Sequence, residues 1–139
     1  MPTDNQLLSD EEEFHSSYRI FLESLRYLEL PPEEQCAAMG DYNTAWELKD
    51  DVLRGRHLVG RGYLNTEQEA WICALTGALE KVPVQILPAG AGRDTNLAAM
   101  QHTSWVPLRS IAKDVLKVLS SFTACLLYTS DAADERSSV

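Results

Sequence analysis

The sequence predicts an all-α protein, a compact bundle of about five to six helices with two glycine-bearing connections. Three observations carry this. Apolar side chains recur at the three- and four-residue intervals that turn one face of a helix inward. Most prolines and glycines fall between those windows, where helices start and stop. No apolar run has a second run beside it with which it would pair as a strand.

The first helix is expected to start at Ser9-Asp10-Glu11-Glu12, with Ser9 capping the free amides and Glu12 reciprocating as a capping box. Asp10, Glu11 and Glu12 also suit the positive end of the helix dipole. Phe14, Tyr18, Phe21, Leu22, Leu25 and Leu28 then form a stripe facing the core, and Pro31-Pro32 stops the helix. Pro32 opens a short second helix, with Glu33 and Glu34 in its first turn and Gly40 as its terminator.

A third helix is expected over Tyr42 to Arg54, carrying Ala45, Trp46, Leu48, Val52 and Leu53, with Gly55 ending it in the left-handed conformation. The connection Gly55-Arg56-His57-Leu58-Val59-Gly60-Arg61-Gly62 has no sustained period. Asn65 or Thr66 caps the fourth helix, which has Glu67 and Glu69 in its first turn and Ala70, Trp71, Ala74, Leu75, Ala78 and Leu79 as its stripe. Pro83 ends it, Val84 to Leu87 reads as packed loop, and Pro88-Ala89-Gly90-Ala91-Gly92 as open loop. A short helix from about Asp94 to Gln101, a break at His102 to Ser104 and a last helix from Trp105 to Leu119 complete the body. In that last helix Pro107 is tolerable in the first turn, and Leu108, Ile111, Ala112, Val115, Leu116 and Leu119 share one face. Trp46, Trp71 and Trp105 each lie in an apolar stripe and read as core anchors.

The run Cys125-Leu126-Leu127-Tyr128-Thr129-Ser130-Asp131-Ala132-Ala133-Asp134-Glu135-Arg136-Ser137-Ser138-Val139 resembles a translated transposase sequencing adapter. That resemblance implies a non-native, disordered tail over residues 125–139 and a native C-terminus that lies elsewhere. The expected organisation is then a flexible segment over residues 1–8, one helical domain over 9–124, and the tail; the body is either a whole domain or the N-terminal fragment of a larger protein. A chain with 45% hydrophobic and 24% charged residues lies in the globular range, so its body is expected to fold. No window has the length of a membrane span and the N-terminus lacks signal-peptide regions, which predicts a cytoplasmic protein. Cys36 and Cys73 form no Cys-x-x-Cys pair and are expected to be buried free thiols.

Charge is unevenly placed. Residues 1–51 hold thirteen acids and three bases, whereas residues 52–124 hold five acids and eight bases. An acidic half repels phosphate backbones, which counts against nucleic acid as a partner and suits a basic protein. The candidate docking acids are Asp10, Glu11, Glu12, Glu13, Glu33, Glu34, Glu47, Asp50 and Asp51. Two electropositive segments are candidates for anion binding, one through Arg54, Arg56 and Arg61, the other through Gly90, Gly92 and Arg93. The same arginines suit a second role, neutralising the acidic half of their own chain.

Catalytic constellations are not evident. Gly90-Ala91-Gly92-Arg93 lacks the lysine and hydroxyl of a P-loop. Glu47-Leu48-Lys49-Asp50 matches the second half of the magnesium motif of all-α nucleotide pyrophosphohydrolases, but the first half is missing. Glu12-Glu13-Phe14-His15 is a single copy of a di-iron motif that needs two. His15, His57 and His102 lie on three segments without zinc-ligand spacing, so no metal or cofactor is expected. Size, acidity and fold class together resemble those of small bacterial immunity or antitoxin proteins, which implies neutralisation of a basic partner by electrostatically assisted docking. The alternative is a helical enzyme or binder that holds a phosphate-bearing small molecule between the 54–63 and 90–94 segments.

Overall fold

The computed structural model describes residues 3–126, with side chains from Asp10 onward. The fold is an all-α bundle: α1 (Thr3–Leu28), α2 (Pro32–Met39), α3 (Thr44–Leu53), α4 (Thr66–Leu79), α5 (Arg93–Met100) and α6 (Trp105–Val118). Two 3₁₀ turns, Arg54–Leu58 and Val84–Ile86, sit between α3 and α4 and between α4 and α5. The chain is helical again over 120–126. No β-strand occurs among the described residues; Tyr42 and Ala91 form one isolated antiparallel bridge. No helix among them is long and apolar enough to cross a membrane.

α1 is the central post. It packs against α2, α3, the first 3₁₀ turn and α6, while α6 also covers α4. Its stripe is the one read from the sequence: Phe14, Tyr18, Phe21, Leu22, Leu25 and Leu28 are all buried. Its start is not. The helix runs back to Thr3, so the segment before Ser9 is helical from that point and Ser9 lies inside the helix instead of capping it. The acidic run is therefore carried within the helix and not in its first turn.

Pro32 opens α2, and Gly40 closes it with a left-handed φ of 81°, its amide donating to the Cys36 carbonyl. Asn65 caps α4: its side-chain oxygen accepts from the Gln68 amide, and its own amide donates to the Gln68 side-chain oxygen. The buried face of α4 is rotated from the expected one. Gln68, Ile72, Leu75, Thr76 and Leu79 point inward, whereas Ala70 and Ala74 are exposed and Trp71 is half-buried. Ile72 is the larger apolar group, and Gln68 is drawn inward by its cap bond and by donating to the Val118 carbonyl at the end of α6.

Gly55 does not end α3 in the left-handed region. It lies within the first 3₁₀ turn, and a Cβ there would sit 2.4 Å from Cε1 of Phe21. The glycine permits close approach of the turn to α1, not an unusual backbone angle. Of the three tryptophans, Trp105 is a core anchor with an unpartnered buried Nε1, Trp71 is half-buried, and Trp46 is exposed. Cys36 is buried as expected, but Cys73 is exposed on α4. The expected tail begins at Cys125, yet the helical segment runs through Cys125 and Leu126; its remainder, 127–139, lies outside the described residues.

Candidate functional site

Between α2 and α3 the chain makes a turn with two non-glycine residues at positive φ, Asp41 at 53° and Asn43 at 43°. Such angles each cost on the order of 1 kcal/mol and persist only where neighbouring bonds hold them. Here the bonds come from the loop before α5. The Asn43 side-chain carbonyl accepts from the Gly90 amide at 2.7 Å, and the Asn43 amide donates back to the Gly90 carbonyl at 2.9 Å. Asn96, fully buried, accepts from the Thr44 amide and donates to the carbonyls of Asp41, Gly90 and Gly92.

This double clamp has one outward product. Tyr42, between the two strained residues, is 56% exposed, and Trp46 in the first turn and a half of α3 is 51% exposed. The inward positions of α3 are Thr44, Ala45, Leu48 and Val52. At 3.6 residues per turn Trp46 falls about 200° around the helix from Leu48, so the sequence already held the signal that it stands off the stripe. Beside it runs a shallow groove lined by Trp46, Lys49, Asp50, Leu53 and Leu87. Glu47 and Asp50 are exposed next to it.

The candidate acids fall into separate groups. Asp10, Glu11, Glu12 and Glu13 are exposed on the N-terminal half of α1. Glu33 and Glu34 open α2 beyond the far end of α1, about 22 Å further along at 1.5 Å per residue. Glu47 and Asp50 are on α3 with Trp46, while Asp51 is half-buried on the side of α3 that faces α1. Burial raises the Asp51 carboxyl above the ordinary range, against an opposing pull from Arg54.

The cationic candidates are also divided. Arg54 pairs with Asp50 at 3.2 Å, Arg56 with Glu80, and Arg61 with Asp10 at 2.7 Å. Arg61 also lies over the Phe14 ring, with its guanidinium carbon 5.8 Å from the centroid. Tyr63 adds a hydroxyl bond to Asp10 at 3.0 Å. The second segment is held elsewhere, against the strained turn. The Gly90 amide is taken by Asn43, the Gly92 amide by the Asp41 carbonyl, and Arg93 lies 3.6 Å from Asp41. The backbone donors that would cradle an anion at Gly90 and Gly92 already have partners, so that loop serves as a brace for the turn.

A larger concavity, about 580 Å³, opens between α1, the end of α3 and the first 3₁₀ turn, with Arg54, Arg56 and Arg61 on its wall. Among the described residues no group of three or more His, Cys, Asp or Glu side chains is placed to hold a metal ion. No family model matches the chain, and no curated protein and no solved structure matches it.

Proposed function

We propose that this protein acts by binding another protein, and that the contact centres on Tyr42 and Trp46 with Glu47 and Asp50 at its rim. The observation that carries the reading is the exposure of two large aromatic side chains on a backbone that is strained and doubly clamped. Tyrosine and tryptophan are the residues that most often dominate interface energetics, and a rigid mount lowers the ordering cost of binding. Acidic neighbours select a basic partner and speed its approach. This supports the immunity- or antitoxin-like role that size and acidity imply, with the docking surface narrowed from the whole acidic half to the α3 face.

A photo-cross-linking amino acid in place of Lys49, within the groove, tests it. Adducts are expected to collect on one basic protein in the cells that express the chain, to weaken with added salt, and to fall roughly tenfold with Trp46→Ala. Adducts no more abundant than those from the same group at Lys117 on α6, or indifferent to Trp46→Ala, would overturn the reading.

A further inference from the structure

The concavity between α1 and the first 3₁₀ turn has a division of chemistry that the α3 surface does not use. Arg54, Arg56 and Arg61 are among its lining residues, and the carboxylates paired with them, Asp50, Glu80 and Asp10, are not. Arg54 and Arg56 each commit one nitrogen to a carboxylate, which leaves further N–H groups of a five-donor fork for a ligand.

The cleft also holds acceptors. Glu13 on α1 and Asp51 on α3 line it and form no ion pair with the lining arginines, and Ser17 adds a hydroxyl. Its apolar lining comes from Ile20, Phe21 and Val59, and Ile20 is 53% exposed there although α1 buries its other face. Gly55 lets the 3₁₀ turn approach Phe21 of α1 closely, and on the far side of the connection the Gly60 amide donates to Glu69 at 2.7 Å.

A ligand complementary to this surface carries an anion for the guanidiniums, a flat apolar body for Ile20 and Val59, and hydrogen-bond donors for Glu13 and Asp51. We propose that the cleft binds a mononucleotide, with its phosphate at Arg54 and Arg56 and its sugar hydroxyls or base amino group at Glu13 and Asp51. A volume of about 580 Å³ falls within the range of small-molecule sites. Neither Tyr42 nor Trp46 lines this cleft; Arg56, paired with Glu80, stands apart from the α3 interface, whereas Arg54 shares Asp50 with it.

The test is calorimetric titration of the whole chain with adenosine, guanosine and cytidine monophosphates, with adenosine and inorganic phosphate as separate arms. At least one nucleotide is expected to bind with one site per chain, with the nucleoside and phosphate each about tenfold weaker or more. Arg54→Gln and Arg56→Gln alter exposed side chains and should keep the unliganded melting temperature while weakening the nucleotide about tenfold. Lys117→Gln, the same charge change on α6, should leave affinity unchanged. Absence of binding by every nucleotide up to about 10 mM overturns the proposal. Phosphate binding as tight as the nucleotide reduces the cleft to an anion site and overturns it too, as does an affinity that both arginine substitutions leave intact.

Discussion

A Cβ at Gly55 would lie 2.4 Å, 2.8 Å and 2.9 Å from three ring atoms of Phe21, and Phe21 is itself buried on the central helix. Gly55→Ala is therefore expected to destabilise the protein by about 1 to 3 kcal/mol through overpacking. Phe21→Leu should recover part of that loss, so that the two changes are non-additive in a urea-denaturation cycle. A glycine after a helical run is legible as a special position, but two physical causes select the same residue: a left-handed angle and a close approach. Only the packing partner separates them, and Phe21 is more than thirty residues away along the chain. Trp46 was hidden by a different ambiguity, since size and apolarity favour burial whereas its angular position on α3 opposes it.

Asp51 sets the residue-scale response to pH. Burial raises its folded-state carboxyl above the unfolded value, so the fold holds a proton that the unfolded chain releases earlier. The stability linked to that proton is fully present below the ordinary carboxylate range and is lost as pH rises through the raised value. Asp51→Asn, which does not titrate, should therefore gain stability relative to the parent as pH rises through this range. Urea midpoints measured from about pH 3 to pH 7 check the direction. An Asp51→Asn variant that loses stability relative to the parent toward neutral pH would contradict it.

At the scale of elements, the joints between helices carry information that periodicity does not. Gln35 is fully buried on α2, donates to the Leu28 carbonyl at 2.8 Å, and accepts two bonds from Arg109 of α6 at 3.3 Å and 3.0 Å. Arg109 also donates to the Met100 carbonyl, so one side-chain pair ties the ends of α1 and α5 to α2 and α6. Burial lowers the Arg109 proton affinity, partly offset by Glu33. Arg109→Met leaves the Gln35 acceptor and the Met100 carbonyl without their donor, and about 1 to 3 kcal/mol of stability should be lost. The double change Gln35→Leu with Arg109→Met should cost less than the sum of the single changes, as thermal melts of the four proteins can show. The helices themselves were legible because stripes and caps are local, as with Phe14 to Leu28 and Asn65 with Gln68. This clamp was not, because an isolated glutamine and arginine seventy-four positions apart carry no shared pattern.

For the whole molecule, the charge asymmetry of the sequence becomes a set of crosslinks. Asp10 meets Arg61 and Asp41 meets Arg93, each joining the acidic first part of the chain to the basic remainder. Among the candidate acids, Glu11, Glu12, Glu13, Glu33, Glu34, Glu47 and Asp50 all remain exposed, and of these Asp50 is paired with Arg54. Exposed pairs of this kind contribute little stability, so their main effect is on where net negative potential remains. A charge count along the sequence does not say how the acids are divided, because the division depends on which arginines the fold brings back to which acids.

The closure of α1 by the C-terminal helices has a consequence for synthesis. The Tyr18 hydroxyl donates to the Leu119 carbonyl at 3.2 Å and lies 2.8 Å from the Thr123 hydroxyl, while Phe122 packs edge-on against the Tyr18 ring with centroids 4.8 Å apart. The residues that cover this part of the α1 stripe are made about a hundred positions after Tyr18. At about 5 to 20 residues per second, the nascent chain carries an uncovered helix face for several seconds. During that interval the uncovered apolar face is a surface that a chaperone or another nascent chain can meet.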